Sequence, residues 1–298
     1  MSVDSTWLRC PNCFQDLESV SGRTYGCVDG HRFDQARGGY LTLLPPRAPR
    51  TVGDDRAMLE ARAELLDSGA YTPIAEALQR AGRDLLGGDT EVSLLDLGCG
   101  TGHYAGAVAD AVPTRRMLLA DRSPDAVRMS MRALAARAAV TGVVLDLWRP
   151  LPIRDASADV ALDVFAPRNP PEYARVLRSG GLLLIVVPTE RHLAELRASG
   201  DVLEIPAGKD AAVLEQFTPH GFALAGREQV EYAMSADLRR RSLLVDMGPS
   251  AHHRTATAGT STTPATESDS DVAGVVDSDS GADSTVTVSV DVLALQKL

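Results

Sequence analysis

The sequence predicts an α/β domain with a mostly parallel, doubly wound sheet, preceded by a small metal-binding module. Three observations predict it. The first is a short apolar run, Ser93 to Leu97, followed by Gly98, Gly100 and Gly102 and then a helical stretch from Ala105 to Val112. This reads as buried strand, tight loop and helix, and the glycines let a ligand approach the backbone with no Cβ in the way. The second is the alternation of strand-like and helix-like segments after that loop. The third is Cys10, Cys13, Cys27 and His31, whose spacing suits one tetrahedral ion.

The chain has 298 residues and a net charge of −10, long enough for one full α/β domain plus a small module. The charge is uneven. Residues 255 to 298 carry seven acids against Lys297 alone. Of the 30 basic residues, all but Lys209 and Lys297 are arginine, the better phosphate and base ligand. No apolar run reaches membrane-spanning length and the N-terminus lacks a signal-peptide pattern. A cytoplasmic protein with no membrane partner is expected, its cysteines reduced or metal-bound.

Residues 1–45 form the predicted metal module. Cys-x2-Cys lets two thiolates bind one ion, and Arg23 to Cys27 reads as a short strand returning Cys27 and His31 as the second pair. So small a segment has little apolar surface, so zinc would supply its folding energy. Four protein ligands make the zinc structural. Accidental clustering or a redox Cys-x-x-Cys is the alternative. Arg32, Arg37, Arg47 and Arg50 with Phe33 and Tyr40 suit single-stranded or loop RNA; packing of the two rings inside the module is the other reading.

Residues 46–55 read as a linker. Met58, Leu59, Ala61, Leu65 and Leu66 give helical spacing over Arg56 to Asp67. A second helix runs from Tyr71 to Leu86, with Pro73 in its first turn. The loop that follows the first strand of the sheet lacks the third glycine of a dinucleotide fingerprint and the Lys-Ser/Thr of a P-loop. Asp96-Leu97-Gly98-Cys99-Gly100-Thr101-Gly102 instead resembles motif I of the S-adenosylmethionine-dependent methyltransferases. The resemblance implies a Rossmann-like class I methyltransferase with a seven-stranded, mostly parallel sheet. It places Asp96, Gly98, Gly100, Thr101 and Gly102 at the cofactor, and asks for an acid at the end of the next strand to bind the ribose. Asp121 follows at the spacing of one βα unit. A Gly-rich turn in some other α/β domain is the alternative.

Ser123-Pro124 caps a helix expected to reach about Ala139. Val143 to Trp148 reads as the third strand, with Asp146 near its carboxyl end, where this fold contacts the adenine amino group. Strand four is Ala158 to Phe165. Asn169-Pro170-Pro171-Glu172 reads as a helix start, with Asn169 as N-cap and Glu172 closing a capping box; the other reading is the Asn-Pro-Pro motif that holds a planar nitrogen. Gly180-Gly181 should turn the chain into strand five, Leu182 to Val187. Helical and strand segments continue from Phe222 to Val245. Residues 255–284 are polar and acidic and should be a disordered insertion. Thr285 to Val292 alternates cleanly. The methyltransferase resemblance implies a final antiparallel strand between strands five and six; as that strand, the segment would bury Val286, Val288, Val290 and Val292 on one face. The catalytic domain would then be residues 56–254 plus 285–298.

A family resemblance covers about Leu8 to Ser250. Cys-Pro-Asn-Cys, Gly-His-Arg-Phe-Asp, Gly-Gly-Tyr-Leu-Thr-Leu-Leu, the stretch from Ala61 to Tyr71, Phe165 to Glu172 and Met247 to Ser250 occur in order. The chain resembles the 23S ribosomal RNA guanine-N1 methyltransferases, in their tylosin-resistance-like branch. The resemblance implies that Tyr71 and His192 lie at the cofactor; the family has His where this chain has Ala70. It implies methyl transfer from S-adenosylmethionine to N1 of a guanine in a 23S rRNA hairpin loop, and leaves housekeeping and macrolide-resistance roles open. A small-molecule methyltransferase would instead label metabolites. An inactive zinc-dependent RNA-binding protein would fail to bind the cofactor. No residue declares itself as a catalytic base, and oligomeric state is not legible.

Overall fold

The structure is a computed structural model that describes residues 3–45, 53–86, 90–206, 208–248 and 284–298. Most of the expected linker and all but one residue of the expected disordered insertion lie outside these. The N-terminal region holds β1 (Glu18–Ser21), β2 (Thr24–Gly26), β3 (Arg32–Asp34) and β4 (Leu41–Thr42). Then come α1 (Arg56–Asp67), α2 (Thr72–Leu86), β5 (Val92–Leu97), α3 (His103–Ala111), β6 (Thr114–Asp121), α4 (Pro124–Leu134) and β7 (Ala139–Val144). The rest is β8 (Ala158–Val164), α5 (Pro170–Val176), β9 (Leu177–Pro188), α6 (Ala194–Ala198), α7 (Lys209–Phe217), β10 (Phe222–Ala236), α8 (Leu238–Asp246) and β11 (Ser284–Lys297).

The main sheet runs β10-β11-β9-β8-β5-β6-β7-β4. It has eight strands, one more than expected. The extra one is β4, whose Leu41 and Thr42 pair in parallel with Val143 and Val144 of β7. β5 is buried along its whole length, because a central parallel strand is covered on both faces. β11 lies antiparallel between β9 and β10, as expected. Val286, Val288, Val290 and Val292 join one core layer. The other side of β11 is not open: Leu293 and Leu295 join the opposite layer, and the buried Ser289 hydroxyl donates to Glu231 and accepts from Thr189.

Local signals held where side-chain chemistry was specific. Ser123 caps α4, its hydroxyl accepting from the Ala126 amide, with Pro124 in the first turn. Three expectations need correction. Helix α4 stops at Leu134, and β7 begins four residues earlier than expected. A Cβ on Gly142 would lie 2.2 Å from the Met131 sulfur; that glycine lets α4 press against β7. The capping box does not form: the Asn169 amide donates instead to the carbonyls of Leu147 and Arg149. The Glu172 carboxylate accepts from the Leu151 amide at 2.7 Å and pairs with Arg175. Gly180-Gly181 lies inside β9 as an irregularity rather than before it.

The metal module is fused to the sheet domain. Trp7 and Leu8 are wholly buried in the layer that contains Leu95, Leu118 and Ile185 of the sheet. Leu8 bridges Ile153, and the Arg154 amide donates to the Trp7 carbonyl at 2.8 Å. The Arg116 guanidinium sits 4.2 Å over the Trp7 ring and donates to Asp4 and Thr6. Among the described residues no helix is long and apolar enough to cross a membrane.

Candidate active site and metal centre

The four metal ligands converge. Their donor atoms lie within 4.8 Å of one another. Cys13 Sγ is 3.5 Å from both Cys27 Sγ and His31 Nδ1, and Cys27 Sγ is 3.4 Å from His31 Nδ1. Tetrahedral zinc with Zn–S of about 2.3 Å and Zn–N of about 2.0–2.1 Å requires S···S of about 3.8 Å and S···N of about 3.5 Å. The donor set and its spacing therefore fit zinc, with every position of the tetrahedron taken by protein. Zinc here holds the β2–β3 hairpin against the Cys10–Cys13 turn; it has no open position for catalysis.

The second site lies at the carboxyl ends of the parallel strands, where open α/β sheets bind ligands. The three loop glycines have different tasks. A Cβ on Gly98 would lie 2.7 Å from the Ala166 Cβ, and one on Gly102 would lie 2.9 Å from the Ser130 Cβ. These two admit neighbouring protein. At Gly100, with φ of 49°, a Cβ would meet only an Arg62 nitrogen, at 3.4 Å; this is the open cradle. The Asp121 carboxylate ties the loop down: one oxygen accepts from the Gly100 amide at 3.0 Å and the other from the Ser123 amide at 2.9 Å. Burial pushes its pKa up, and those two amides hold it back. Thr101 lies in the same turn and is half-buried.

Asp96, at the end of β5, is buried, and burial together with the charge of Asp121 raises its pKa to about 7. Asp146 follows β7 by two residues. Its carboxylate already accepts from Arg122 at 2.7 Å and from the Trp148 amide at 3.1 Å, so an adenine amino group would have to share it.

Tyr71 and His192 come together with two rings that sequence reasoning did not assign. Phe165 lies 6.5 Å from Tyr71, 6.4 Å from Tyr104 and 6.0 Å from His192, ring centre to ring centre. The Tyr71 and Tyr104 hydroxyls are buried and have no hydrogen-bond partner among the described residues. Buried hydroxyls are rarely left so, and a polar ligand in the cradle would satisfy them. Beside Tyr71, the Ala70 carbonyl accepts from the Tyr232 hydroxyl at 2.5 Å. Burial lowers the His192 pKa to about 4, so the ring is neutral at pH 7. Its Nδ1 accepts from the Ser289 amide at 3.3 Å, leaving the ring proton on Nε2.

Arg62 was also missed. Its guanidinium pairs with Asp54 and donates to the Met247 carbonyl at 2.6 Å, roofing Gly100. Tyr104, in the first turn of the helix after the glycine loop, was the one local signal available; the other groupings depend on tertiary contacts. A cleft of about 580 Å³ lies behind the glycine loop, between α2, α3 and α4. Thr101, Gly102 and His103 line it, whereas Tyr71, Asp121, Phe165 and His192 do not, so it meets this site only at the glycine loop.

Comparison with known proteins identifies both domains. Residues 8–50 match the zinc-ribbon family described as RlmA, N-terminal, and residues 94–181 match the methyltransferase domain family. The 23S rRNA (guanine(748)-N(1))-methyltransferase of Streptomyces fradiae is 42% identical over 248 residues, 83% of this chain and 86% of that protein. A Micromonospora griseorubida protein, named by inference as a 23S rRNA (guanine-N(1)-)-methyltransferase, is 41% identical over 83% of this chain and 87% of its own length. A Bacillus subtilis protein named in the same way is 30% identical over 66% of this chain and 69% of its own length. The fold, the zinc ligands and these identities together place the chain in the 23S rRNA (guanine-N1)-methyltransferase family.

Proposed function

We propose that this enzyme transfers a methyl group from S-adenosylmethionine to N1 of a guanine in a hairpin loop of 23S rRNA. One observation carries the reading: the Gly100 cradle, anchored by Asp121, opens at the same end of the sheet as the cluster of Tyr71, Tyr104, Phe165 and His192. When bound, the cofactor supplies an activated methyl electrophile. The protein's task is then mainly alignment of donor and acceptor.

The chain's own residues divide that task. Asp121 keeps lone pairs for two ribose hydroxyls while its backbone bonds fix its direction. Asp96 and Asp121 repel each other, and the cofactor's ammonium would let both ionise. Tyr71 and Tyr104 close the methionine end, and Asp146 lies at the adenine end. His192 stays neutral beside them, so it adds no positive charge next to a sulfonium. Transfer to guanine N1 releases S-adenosylhomocysteine and the N1 proton. The zinc ribbon, fused to the same sheet domain through β4, carries the exposed Arg32 and Arg37, which would meet RNA phosphates. Phe33 packs against the buried core, which supports the packing reading for that ring.

The test is incorporation of labelled methyl into 23S rRNA from a strain lacking the enzyme, with the modified atom mapped. Label at guanine N1 is expected. Label at another atom, or only in small molecules, would refute the reading.

A further inference from the structure

Phe165 is an unusual residue. It follows the central strand β8 with φ of 55°, a backbone conformation that is a genuine outlier for a bulky side chain. Strain of this kind persists only where the surroundings over-determine it, and it concentrates at functional sites. Here the surroundings do so. The Phe165 amide donates to the Val186 carbonyl of β9 at 3.2 Å. The next residue, Ala166, is seated against Gly98 so closely that a Cβ there would lie 2.7 Å away. At the far end of the loop, Asn169 donates to two carbonyls of the loop after β7.

The product of this bracing is an outward-facing ring. Phe165 is 42% exposed although it stands among Tyr71, Tyr104 and His192. A large apolar ring braced in the open among three other rings calls for a flat partner. The position decides which partner. Asp121 and Asp146 end β6 and follow β7, on one side of β5; Phe165 ends β8, on the other. Strands are about 4.8 Å apart, so the nucleoside half of the cofactor, held at Asp121, lies about 10 Å from β8. The face left to Phe165 is the one from which a methyl acceptor must arrive. Arg168 lies in the same loop, half-buried, where its charge also acts on the buried Asp163 carboxyl; no carboxylate forms a close ion pair with it among the described residues.

We infer that Phe165 is the stacking platform for the target base, splayed out of its RNA loop and laid on the ring, with Arg168 beside it for the backbone. This rests on the RNA methyltransferase function proposed for the chain and adds to it the residue that receives the base. Bases extruded for chemistry are commonly held by stacking on aromatic side chains.

The experiment compares wild type, Phe165→Ala and Phe165→Tyr on a 23S rRNA hairpin fragment, with cofactor affinity measured by calorimetry on each full-length protein. Base–aromatic stacking predicts that Phe165→Ala loses roughly 5- to 160-fold in kcat/KM for the RNA. Phe165→Tyr should retain activity within about threefold, and cofactor Kd should change less than about twofold in both. Wild-type RNA kinetics in Phe165→Ala would overturn the platform. So would a loss of cofactor affinity that matches the loss of activity, which would make Phe165 a cofactor contact, or a Tyr variant as poor as Ala. A wild-type enzyme that binds the cofactor yet leaves the RNA unlabelled would overturn the functional reading and the platform with it.

Discussion

Replacing Trp7 by Ala should destabilise the whole protein, not only the zinc ribbon. Trp7 is 0% exposed and lies in a core layer shared with strands of the main sheet. A buried tryptophan removes about 150–250 Å² from water. At about 25 cal/mol per Å² this amounts to about 4–6 kcal/mol, an upper bound because the denatured chain already hides some of that area. Truncations of this size in other cores cost about 3–5 kcal/mol. The Arg116 guanidinium 4.2 Å above the ring adds a cation–π contribution of about 0.5–2 kcal/mol, which is coupled to the packing and not simply additive. The expected loss is therefore about 4 kcal/mol, a large part of a typical domain's stability. Urea unfolding followed by far-UV dichroism and by zinc release should show one transition, displaced together by both probes. A loss below about 1.5 kcal/mol, or early zinc release followed by an unshifted main transition, would show that ribbon and sheet are independent.

Four further outcomes are expected. Cys27→Ser should abolish stoichiometric zinc and, because β4 completes the sheet edge, lower the unfolding midpoint of the whole chain; one zinc per chain in that variant would refute the ligand set. Asp121→Ala should weaken S-adenosylmethionine binding by about 1.5–3 kcal/mol by removing charge-assisted bonds to the ribose, with zinc content unchanged; unaltered calorimetric affinity would rule out the ribose role. Because Asp96 titrates at about 7 and a cationic ligand lowers that value, cofactor binding at pH 6.5 should release protons, seen as a binding enthalpy that depends on the buffer's ionisation enthalpy. No such dependence would separate Asp96 from the ammonium. Burial holds the Asp163 proton on up to about 8, whereas an unfolded aspartate ionises at about 3.9. The native state then binds more protons across that window, so stability falls as pH rises through it; Asp163→Asn should flatten the fall between pH 5 and 8, and an unchanged slope in urea unfolding would refute the assignment.

What could be read from the sequence was whatever local chemistry specifies. The bounds of α1 followed from helical spacing, and its start is capped by Asp55, whose carboxylate accepts from the Met58 amide. Motif I, Asp121 and the zinc ligands were legible because ligand geometry demands particular residues at short spacing. The alternating valines marked β11 as a strand, since an extended chain turns every second side chain to the same face; its place between β9 and β10 followed from the methyltransferase resemblance. The β7 boundary was missed because Ala135 to Val140 suits a helix as well as a strand, and only contact with Met131 decides it. β4 is two residues long and has no periodicity to read. The aromatic cluster joins residues from the start of α2, the first turn of α3, the end of β8 and the loop after β9. Nothing in the linear order relates them.

The placement of β11 bears on when the enzyme becomes competent. It is the last element in chain order, yet it is an interior strand, with β9 on one side and β10 on the other. Domains begin folding while they are being synthesised, but here β9 and β10 are made long before the strand that must separate them. Pairing across such sequence distance is slow to form. The delay reaches the site itself, because the amide that fixes the His192 tautomer belongs to Ser289 of β11, and the Leu193 amide donates to Thr287 of the same strand at 2.7 Å. A chain synthesised only as far as β10 therefore carries an unfinished site, which is complete only once β11 has paired between β9 and β10.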